Sequence, residues 1–325
     1  MEQTRLGRSD LVVAPIAFGT WQLGGDWGPT DEEAAIAAIR RAADLGVTLF
    51  DTAQGYGFGA SERLLAKALD GRRDGLVVAT KGGLAPTEGG GVARDASARW
   101  IRRGVEASLR ALDTDAIDLY QVHWPDPTTP MAETAATLAE LVSEGKVRHV
   151  GVSNFDAGQI EAFSATLPVE TLQPPYHLFH RDIEASVLPF AHAHDIGVLA
   201  YGPLAHGLLG GQLRLDTRFA QGDWRGAGGD FRGDAYRANL AAVAELERLA
   251  RAELGISLSQ LAVAWTLSNP AVQVAIVGTR NPAHVDDAVA AADVVLEPAV
   301  LQRIEEIMAA TAPVAGPSPE AMPEA

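Results

Sequence analysis

Four polar residues with acid–base chemistry follow short apolar runs at regular intervals along the chain. Asp51, Lys81 and His123 lie at or near the carboxyl ends of three successive runs, and Tyr56 follows the first run in a glycine-rich loop. Continuous apolar runs rich in Val, Ile and Leu are typical of parallel strands that are buried on both faces. Three strands would therefore deliver a carboxylate, an ammonium, an imidazole and a phenol to one edge of a sheet.

These four groups fit together as one proton-transfer device. A tyrosine side chain ordinarily has a pKa near about 10, and a neighbouring ammonium stabilises its phenolate form. A partly buried ammonium needs a carboxylate partner. Asp51 would thus hold Lys81, Lys81 would tune Tyr56 as general acid/base, and His123 would orient the substrate oxygen. The structural alternative is a buried salt bridge with a packing tyrosine and a core histidine.

A phenol that faces a carbonyl oxygen suits reduction, because the oxygen must be protonated as a hydride arrives. No side chain donates hydride, so a cofactor must supply it. Ser153, Asn154 and Gln173 carry groups able to hydrogen-bond a carboxamide, and Tyr201 offers a ring that can stack on a pyridine. The stretch 278–282 leads into the last predicted helix. Backbone amides at a helix start, with an arginine beside them, are typical of an anion site.

Strand-like and helix-like segments alternate along the chain. The predicted strands are residues 12–21, 47–53, 76–83, 116–124, 147–155, 169–178, 197–204 and 272–278. The predicted helices between them are residues 31–45, 60–70, 97–112, 131–145, 156–166, 182–195, 234–254 and 282–292. Eight strand–helix units in this length predict an α/β fold, the (β/α)8 TIM barrel. A doubly wound Rossmann sheet is the rival, but the glycines at 55–59 lack its G-x-G-x-x-G spacing.

Three segments depart from the simple repeat. Residues 205–233 form a long glycine-rich connection after the seventh strand, which is typical of a lid or binding loop. A second helical stretch, 257–270, precedes the eighth strand. Residues 311–325 are rich in Pro and Ala, which predicts a flexible tail. The domain organisation is therefore one barrel over residues 1–310 followed by a tail.

Composition excludes several classes of function. The chain has 325 residues, a formal net charge of −16 and no cysteine. The negative charge argues against nucleic acid or an anionic membrane as partner, and the lack of cysteine excludes disulfides and thiolate chemistry. No apolar run approaches the roughly 20 residues of a membrane span, and no signal core is evident. His192 and His194 are two apart on a helix and face different ways, so no metal site is expected. We expect a cytoplasmic protein.

At this point the motifs resemble those of the aldo-keto reductase superfamily over residues from about 5 to 310. The matching stretches are FDTAQGYGFGASERLLAKAL, VVATKGG, LYQVHWPD, GKVRHVGVSNF, GVLAYGPLAHGLLGG and AIVGTRNPAHVDDAV. These motifs are most similar to those of bacterial branches that include inositol and glyceraldehyde reductases, and to those of potassium-channel β-subunits.

The resemblance implies a barrel enzyme, a monomer or weak homo-oligomer, that binds NADP(H) in preference to NAD(H) without a Rossmann fold. It implies Tyr56 as proton donor, Lys81 and Asp51 as its tuning pair, and His123 as substrate orienter. The implied cofactor contacts are Gly19, Thr20, Trp21 and Asp51 near the nicotinamide, Ser153, Asn154 and Gln173 at its carboxamide, Tyr201 and Gly202 at its ring, Leu204 and Gly207 beside the pyrophosphate, Gly278, Thr279, Arg280 and His284 around the 2′-phosphate, and Asp287 near the adenine.

The adenosine end departs from the family pattern. The last helix of the family usually carries Glu-Asn for the adenine amino group, whereas here Asp287 and an alanine stand at those positions, and His284 replaces a basic residue. The expected substrate is a small aldehyde, ketone or sugar-like alcohol, in a pocket lined by Trp21, Phe58 and Trp124. Trp224 either joins this pocket or packs under the loop. His177 and His180 are expected in a surface loop.

Two alternatives to a reductase remain. One is an NADP(H)-binding redox sensor of slow turnover, like the channel β-subunits. The other is an inactive barrel used as a scaffold, which the complete set of four polar residues argues against.

Overall fold

A closed barrel of eight parallel strands forms the centre of the protein. The structure is a computed structural model that describes residues 1–25, 27–28, 30–88, 91–226 and 229–317. The barrel strands are β1 (Ile16–Gly19), β2 (Leu49–Asp51), β3 (Val77–Gly82), β4 (Ile117–Val122), β5 (Val147–Ser153), β6 (Thr171–Gln173), β7 (Gly197–Tyr201) and β8 (Val274–Gly278). The predicted (β/α)8 TIM barrel is thereby confirmed.

Helices surround the barrel. They are α1 (Glu32–Asp44), α2 (Ala60–Ala68), α3 (Ala98–Leu112), α4 (Met131–Ser143), α5 (Ala157–Ser164), α6 (Val187–Ala193), α7 (Gly233–Leu249), α8 (Leu258–Ser268), α9 (Pro282–Ala290) and α10 (Pro298–Met308). Side-chain caps fix several of their starts: Asp31 accepts a hydrogen bond from the backbone N–H of Ala34, and Ser257 forms a capping box with Gln260. Such caps satisfy amides that have no partner within the helix.

Each strand pairs with its neighbours in chain order, and β8 closes the barrel against β1. Gly278 of β8 is opposite Gly19 of β1, and Asp51 of β2 is opposite Ala79 of β3. Because all the strands run in the same direction, their carboxyl ends meet at one end of the barrel, which we call the C-terminal face. The polar residues at the strand ends are therefore brought together.

The barrel interior has an apolar layer beneath a polar one. Leu49, Ala79, Leu119 and Leu199 are buried together in the interior. Side chains alternate between the two sides of a strand, so the residue two positions later points inward as well. Those later positions are occupied by Asp51, Lys81, Gln121 and Tyr201. The polar layer thus lies directly under the C-terminal face, and a larger apolar cluster fills the space between strands and helices.

Two short hairpins were absent from the sequence prediction. Thr4–Arg5 pairs with Val12–Val13 in the N-terminal hairpin, whose Leu6 and Leu11 cover the apolar interior. The predicted strand over 12–21 is therefore too long: Pro15 separates the hairpin from β1, since a proline lacks the N–H that a continuous ladder requires. Leu84–Pro86 and Val92–Arg94 form a second hairpin after β3.

Residues 311–317, the first seven of the predicted flexible tail, contact the rest of the protein, and the flexibility of the tail stays a prediction. Val314 is 0% exposed, and its N–H donates to the carbonyl oxygen of Phe179 at 2.9 Å. The side chain of Asn239 exchanges hydrogen bonds with the backbone of Ala312. The buried Val314 and these hydrogen bonds attach residues 311–317 to the rest of the protein. A proline-rich composition alone does not predict such contacts. Residues 318–325 lie outside the described part. Helix α10, with Pro298 in its first turn, was also missed.

In the part of the chain that the structure describes, no helix is both long and apolar enough to span a membrane.

Gly82 directly follows Lys81 and offers a test of this packing. A Cβ at Gly82 would meet the hydroxyl oxygen of Tyr120 at 1.8 Å. Because Tyr120 is fully buried and has little room to move, Gly82→Ala should lower the free energy of unfolding by about 1–3 kcal/mol. Denaturant unfolding measures this loss. Gly210→Ala, where no atom lies within 4 Å of the added carbon, is the control, and equal stability of the two variants would contradict the prediction.

Candidate active site

Lys81 is the centre of a buried ion pair at the C-terminal face. Its side chain is 0% exposed. Its Nζ donates to Asp51 Oδ1 at 2.6 Å, to the carbonyl oxygen of Thr52 at 2.8 Å and to the Tyr56 hydroxyl at 3.3 Å. The register places Asp51 opposite Ala79, one inward position before Lys81, so the long side chain of Lys81 reaches Asp51 from the next inward position of β3. The predicted contact between Asp51, Lys81 and Tyr56 is thus present in the geometry.

Burial and the Asp51 charge act on Lys81 in opposite directions. Burial lowers the pKa of Lys81 below its ordinary value, whereas the Asp51 carboxylate raises it through charge and through their hydrogen bond. The ammonium also lies 5.0 Å from the centre of the Tyr56 ring. A cation at this distance stabilises the phenolate, so the arrangement favours proton release from Tyr56.

The loop after β2 aims Tyr56 by turns that need glycine. Gly57 has φ of +63°, and a Cβ there would lie 2.5 Å from the carbonyl oxygen of Gly24. Gly24 in turn sits against the backbone of Tyr56, leaving no space for a side chain. The glycines at 55–59 therefore serve a tight turn that presents Tyr56 next to the ring of Trp21, at 6.4 Å between centroids.

His123 follows β4 and lies beside Tyr56. The two ring centroids are 5.6 Å apart at an interplanar angle of 79°. Burial, and then the charge of Lys81, lower the pKa of His123 well below its ordinary value. Its Nδ1 has no hydrogen-bond partner within the described residues. The imidazole is therefore neutral at neutral pH and retains hydrogen-bonding capacity beside Tyr56.

Polar side chains from β5, β6 and β7 connect to the ion pair. Gln173 Nε2 donates to Asp51 Oδ2 at 2.7 Å, and Ser153 Oγ donates to the carbonyl oxygen of Gln173 at 2.8 Å. Asn154 Nδ2 donates to the carbonyl oxygen of His123 at 2.9 Å, and its Oδ1 accepts from the Tyr201 hydroxyl at 3.0 Å. Burial raises the pKa of Tyr201, so its hydroxyl is neutral. Five strands thus share one hydrogen-bonded floor.

A cavity of about 510 Å³ opens above this floor. Most of the sequence-predicted site residues line it: Gly19, Trp21, Asp51, Tyr56, Phe58, His123, Trp124, Ser153, Asn154, Gln173, Tyr201, Gly202, Leu204, Gly207, Gly278, Thr279, Arg280 and His284. Three do not. Lys81 lies beneath it, and Thr20 is buried with its hydroxyl on the carbonyl oxygen of Asp51 at 3.1 Å. Asp287 Oδ2 accepts from the hydroxyl of Ser257 at 2.9 Å.

Several lining residues escaped the sequence prediction: Gln22, Trp27, Leu84, Val92, His206, Arg225 and Pro317. Arg225 and His206 belong to the lid loop, residues 205–233, and Pro317 to the C-terminal segment. Only the unusual length of the lid loop hinted at a role, because no periodic pattern shows how an irregular loop folds back. Trp224, itself part of this loop, is buried and packs on Trp21, with ring centroids 6.0 Å apart.

Arg225 fastens the lid loop to the cavity wall. Its Nη2 binds Asp223 Oδ2 at 2.6 Å, and its Nη1 donates to the carbonyl oxygen of His206 at 3.0 Å. The guanidinium lies 4.5 Å from the ring centre of Trp27, a cation–π contact. An ion pair, a backbone bond and an aromatic face therefore hold one side chain at the cavity.

The expectation that His177 lies in a surface loop is wrong. His177 is 0% exposed, and its ring centroid lies 5.8 Å from those of both His180 and His206. Burial lowers the pKa of each ring, to about 4 for His206. Contact between the connection after β6 and the lid loop buries the rings of His177 and His206, whereas His180 is only partly buried. Among the described residues no group of metal-ligating side chains is arranged to hold an ion.

The far end of the cavity is formed by the start of α9. Asn281 caps this helix by accepting from the N–H of Ala283 at 3.0 Å. Thr279, Arg280 and His284 line the cavity here, and Arg280 Nη1 donates to the carbonyl oxygen of Trp27 at 3.2 Å. Helix-start amides and a guanidinium together favour a bound anion. The cavity thus extends from the Lys81–Tyr56 pair to the start of α9.

Comparison with known proteins agrees with this geometry. The model of the aldo/keto reductase family matches residues 15–309. An aldo-keto reductase of Bacillus subtilis, YhdN, is 43% identical over 289 residues, 88% of this chain and 87% of the relative. A probable voltage-gated potassium channel subunit beta of Arabidopsis thaliana is 33% identical, covering 95% of this chain and 97% of its own length.

Two solved structures share the fold. The glycerol dehydrogenase of Gluconobacter oxydans superposes with a TM-score of 0.88 at 38% identity, over 98% of this chain and 97% of that one. An aldo/keto reductase of Klebsiella pneumoniae in complex with NADP and acetate gives a TM-score of 0.73 at 31% identity, over 94% and 95%. The chain therefore belongs to the aldo/keto reductase family and is an oxidoreductase, as the sequence motifs predicted.

The neutral state of His123 has a consequence for stability against pH. The folded protein resists protonation of this ring, whereas the unfolded chain takes up a proton below pH about 6.5. Stability should therefore fall as the pH decreases, and His123→Gln should reduce that slope by about 1.4 kcal/mol per pH unit between about pH 6 and 4.5. Urea unfolding across this range measures the slope. The exposed His192→Gln serves as control, and identical slopes in the wild type and His123→Gln would refute the prediction.

Proposed function

We propose that the protein catalyses the NADP(H)-dependent reduction of aldehydes and ketones and the reverse oxidation of small or sugar-like alcohols. The observation that carries this proposal is the position of Lys81, whose Nζ joins the Asp51 carboxylate to the Tyr56 hydroxyl at the floor of the cavity. The family membership supports it, as do the glycerol dehydrogenase and the NADP-bound reductase among the similar structures.

The residues of the cavity fit NADP(H). The amide and hydroxyl groups of Ser153, Asn154 and Gln173 suit a carboxamide, and Tyr201 offers an aromatic face beside them. The start of α9 with Arg280 suits a phosphate group. The cofactor, when bound, supplies or accepts the hydride. The expectation for Asp287 at the adenine has less support, because its carboxylate already binds Ser257.

Tyr56 then moves the proton. In reduction, its hydroxyl donates a proton to the carbonyl oxygen as negative charge develops there, and Lys81 stabilises the phenolate that remains. His123, which is neutral, hydrogen-bonds the same oxygen and orients it. In oxidation, the phenolate accepts the proton of the alcohol. Asp51 keeps Lys81 charged throughout, since the ammonium is buried and Asp51 is the carboxylate that it contacts directly.

The substrate lies, in this proposal, between Tyr56 and the cavity wall formed by Trp21, Phe58 and Trp124. These aromatic side chains line the cavity on the Tyr56 side. Phe58 is 40% exposed and stands at the mouth. A small, uncharged carbonyl compound or polyol matches walls of this kind, because aromatic faces pack against its carbon-bound hydrogens.

Loss of the phenol tests the proton donor. Tyr56→Phe should lower kcat/KM for carbonyl reduction by about 10²–10⁴-fold, as expected for removal of a general acid, while NADPH affinity stays unchanged. The assay follows NADPH oxidation with aldehydes, ketones and sugars, beside NADPH binding by fluorescence. Tight NADPH binding without turnover of any substrate by the wild type would instead favour the redox-sensor alternative.

Arg280 tests the choice of cofactor. Arg280→Ala should weaken NADPH binding by about 10–100-fold, because it removes a charge-assisted hydrogen bond to a phosphate, and should affect NADH far less. Dissociation constants for both cofactors by calorimetry measure the difference. The exposed Arg99→Ala is the control for general charge loss. Equal weakening for NADPH and NADH would show that Arg280 does not read the 2′-phosphate.

A further inference from the structure

Behind the ion pair lies a second buried carboxyl group, that of Glu62. Its side chain is 0% exposed in the first turn of α2. Oε1 accepts a hydrogen bond from the Thr80 hydroxyl at 2.6 Å, and the nearby Ser108 hydroxyl favours the ionised carboxylate. Burial of a carboxyl group with so few bonds is costly, and burial raises the pKa of Glu62. Because burying the Glu62 carboxyl group lowers stability, we expect this residue to have a function.

Glu62 and Lys81 lie on opposite sides of β3. Thr80 and Lys81 are consecutive in the strand, so Lys81 points into the barrel and Thr80 points outward to α2. The bond from Thr80 to Glu62 thus holds the residue next to Lys81. The charges of Lys81 and Glu62 also act on each other through the strand, each favouring the ionised form of its partner.

The adjacent residue of α2 fastens the same region. Ser61 Oγ donates to Thr20 Oγ1 at 2.7 Å and accepts from Thr52 Oγ1 at 3.1 Å. The carbonyl oxygen of Thr52 is one of the three acceptors of the Lys81 ammonium. The first turn of α2 therefore reaches both the strand that carries Lys81 and a group that Lys81 binds. The helix start also favours a negative charge at Glu62.

We propose that Glu62 is a positioning residue for the proton-transfer centre, which holds β3 at Thr80 and supplies Lys81 with a second buried negative charge. The proposal rests on the proposed function, since it concerns the Lys81–Tyr56 pair of that reaction. Without the charge of Glu62, the state with ammonium and neutral phenol loses a proton more easily, whichever of the two groups releases it. The protonated phenol needed for reduction is then lost at lower pH.

The other charged or titratable groups around this pair come from separate elements. Asp51 on β2, Tyr56 in the following loop and His123 after β4 face Lys81, whereas Tyr120 on β4 and Arg63 on α2 act on Glu62. His123 and Tyr120 are neutral in the range concerned, because burial lowers the pKa of His123 and raises that of Tyr120. A change in the charge of Glu62 therefore affects mainly the protonation of Lys81 and Tyr56.

The test is the pH profile of kcat/KM for carbonyl reduction. Glu62→Gln should move its alkaline limb to lower pH by about 1 pH unit, as expected for one charge acting over several ångströms in a protein. Thr80→Val removes the hydrogen bond and keeps the charge, so its limb should stay at the wild-type position. Glu161→Gln, an exposed residue on α5, controls for net charge. If Glu62→Gln lowers only the stability and leaves the alkaline limb of the pH profile at the wild-type position, Glu62 contributes to packing alone and the proposal is overturned.

A reciprocal measurement covers the case in which Glu62→Gln does not fold or the wild type reduces no carbonyl. Linkage requires that loss of the Lys81 charge raise the pKa of Glu62. The Glu62 carboxyl carbon, followed by ¹³C NMR, should titrate at higher pH in Lys81→Met than in the wild type. The same midpoint in both proteins would overturn the coupling. Absence of all turnover with a shifted midpoint would instead refute the proposed function alone.

Discussion

The buried ammonium of Lys81 is the constraint on which the site depends. A cation with no exposed surface is tolerated only where its charge and its three N–H bonds all find partners. Asp51, the carbonyl oxygen of Thr52 and the Tyr56 hydroxyl supply those partners. The third partner is the group to which the proposed mechanism assigns the proton transfer. The need to satisfy Lys81 therefore fixes the position of Tyr56, and the pairing of β2 with β3 fixes that of Asp51.

The barrel makes this arrangement possible because the inward-facing residues of these strands change from apolar to polar toward the C-terminal face. Leu49, Ala79 and Leu119 fill the interior, and two residues later come Asp51, Lys81 and Gln121. The period of two along a strand keeps both sets pointing inward. The apolar layer excludes water from below, which strengthens the electrostatic interactions in the layer above it. The polar layer in turn gains its hydrogen bonds sideways, from strand to strand, as in the contact between Gln173 and Asp51.

Local patterns in the sequence were sufficient for those parts of the molecule that repeat. Each barrel strand is a short apolar run that ends in a polar residue, and the order of strands in the barrel follows the order in the chain. Asp51, Tyr56, Lys81 and His123 were predicted together for this reason. The first hairpin, the buried segment around Val314 and the contacts of Arg225 were not, because they depend on where an irregular chain returns to the barrel. Asp287 shows the same limit: the sequence places it where the family usually carries a glutamate, but it does not show that Ser257, which caps α8, donates to its carboxylate.

Polar groups lie on both sides of β3, and in the proposed mechanism both sets influence the protonation of the Tyr56 phenol. Inside the barrel, Asp51 balances Lys81 through direct contact. Outside it, Glu62 adds a charge that acts on Lys81 across the strand, from a buried position that does not line the described cavity. Direct contact fixes geometry, whereas a charge acting over a distance adjusts an equilibrium with little effect on geometry. A residue such as Glu62 therefore offers a means to alter the working pH of the centre without rearranging the groups that touch the substrate.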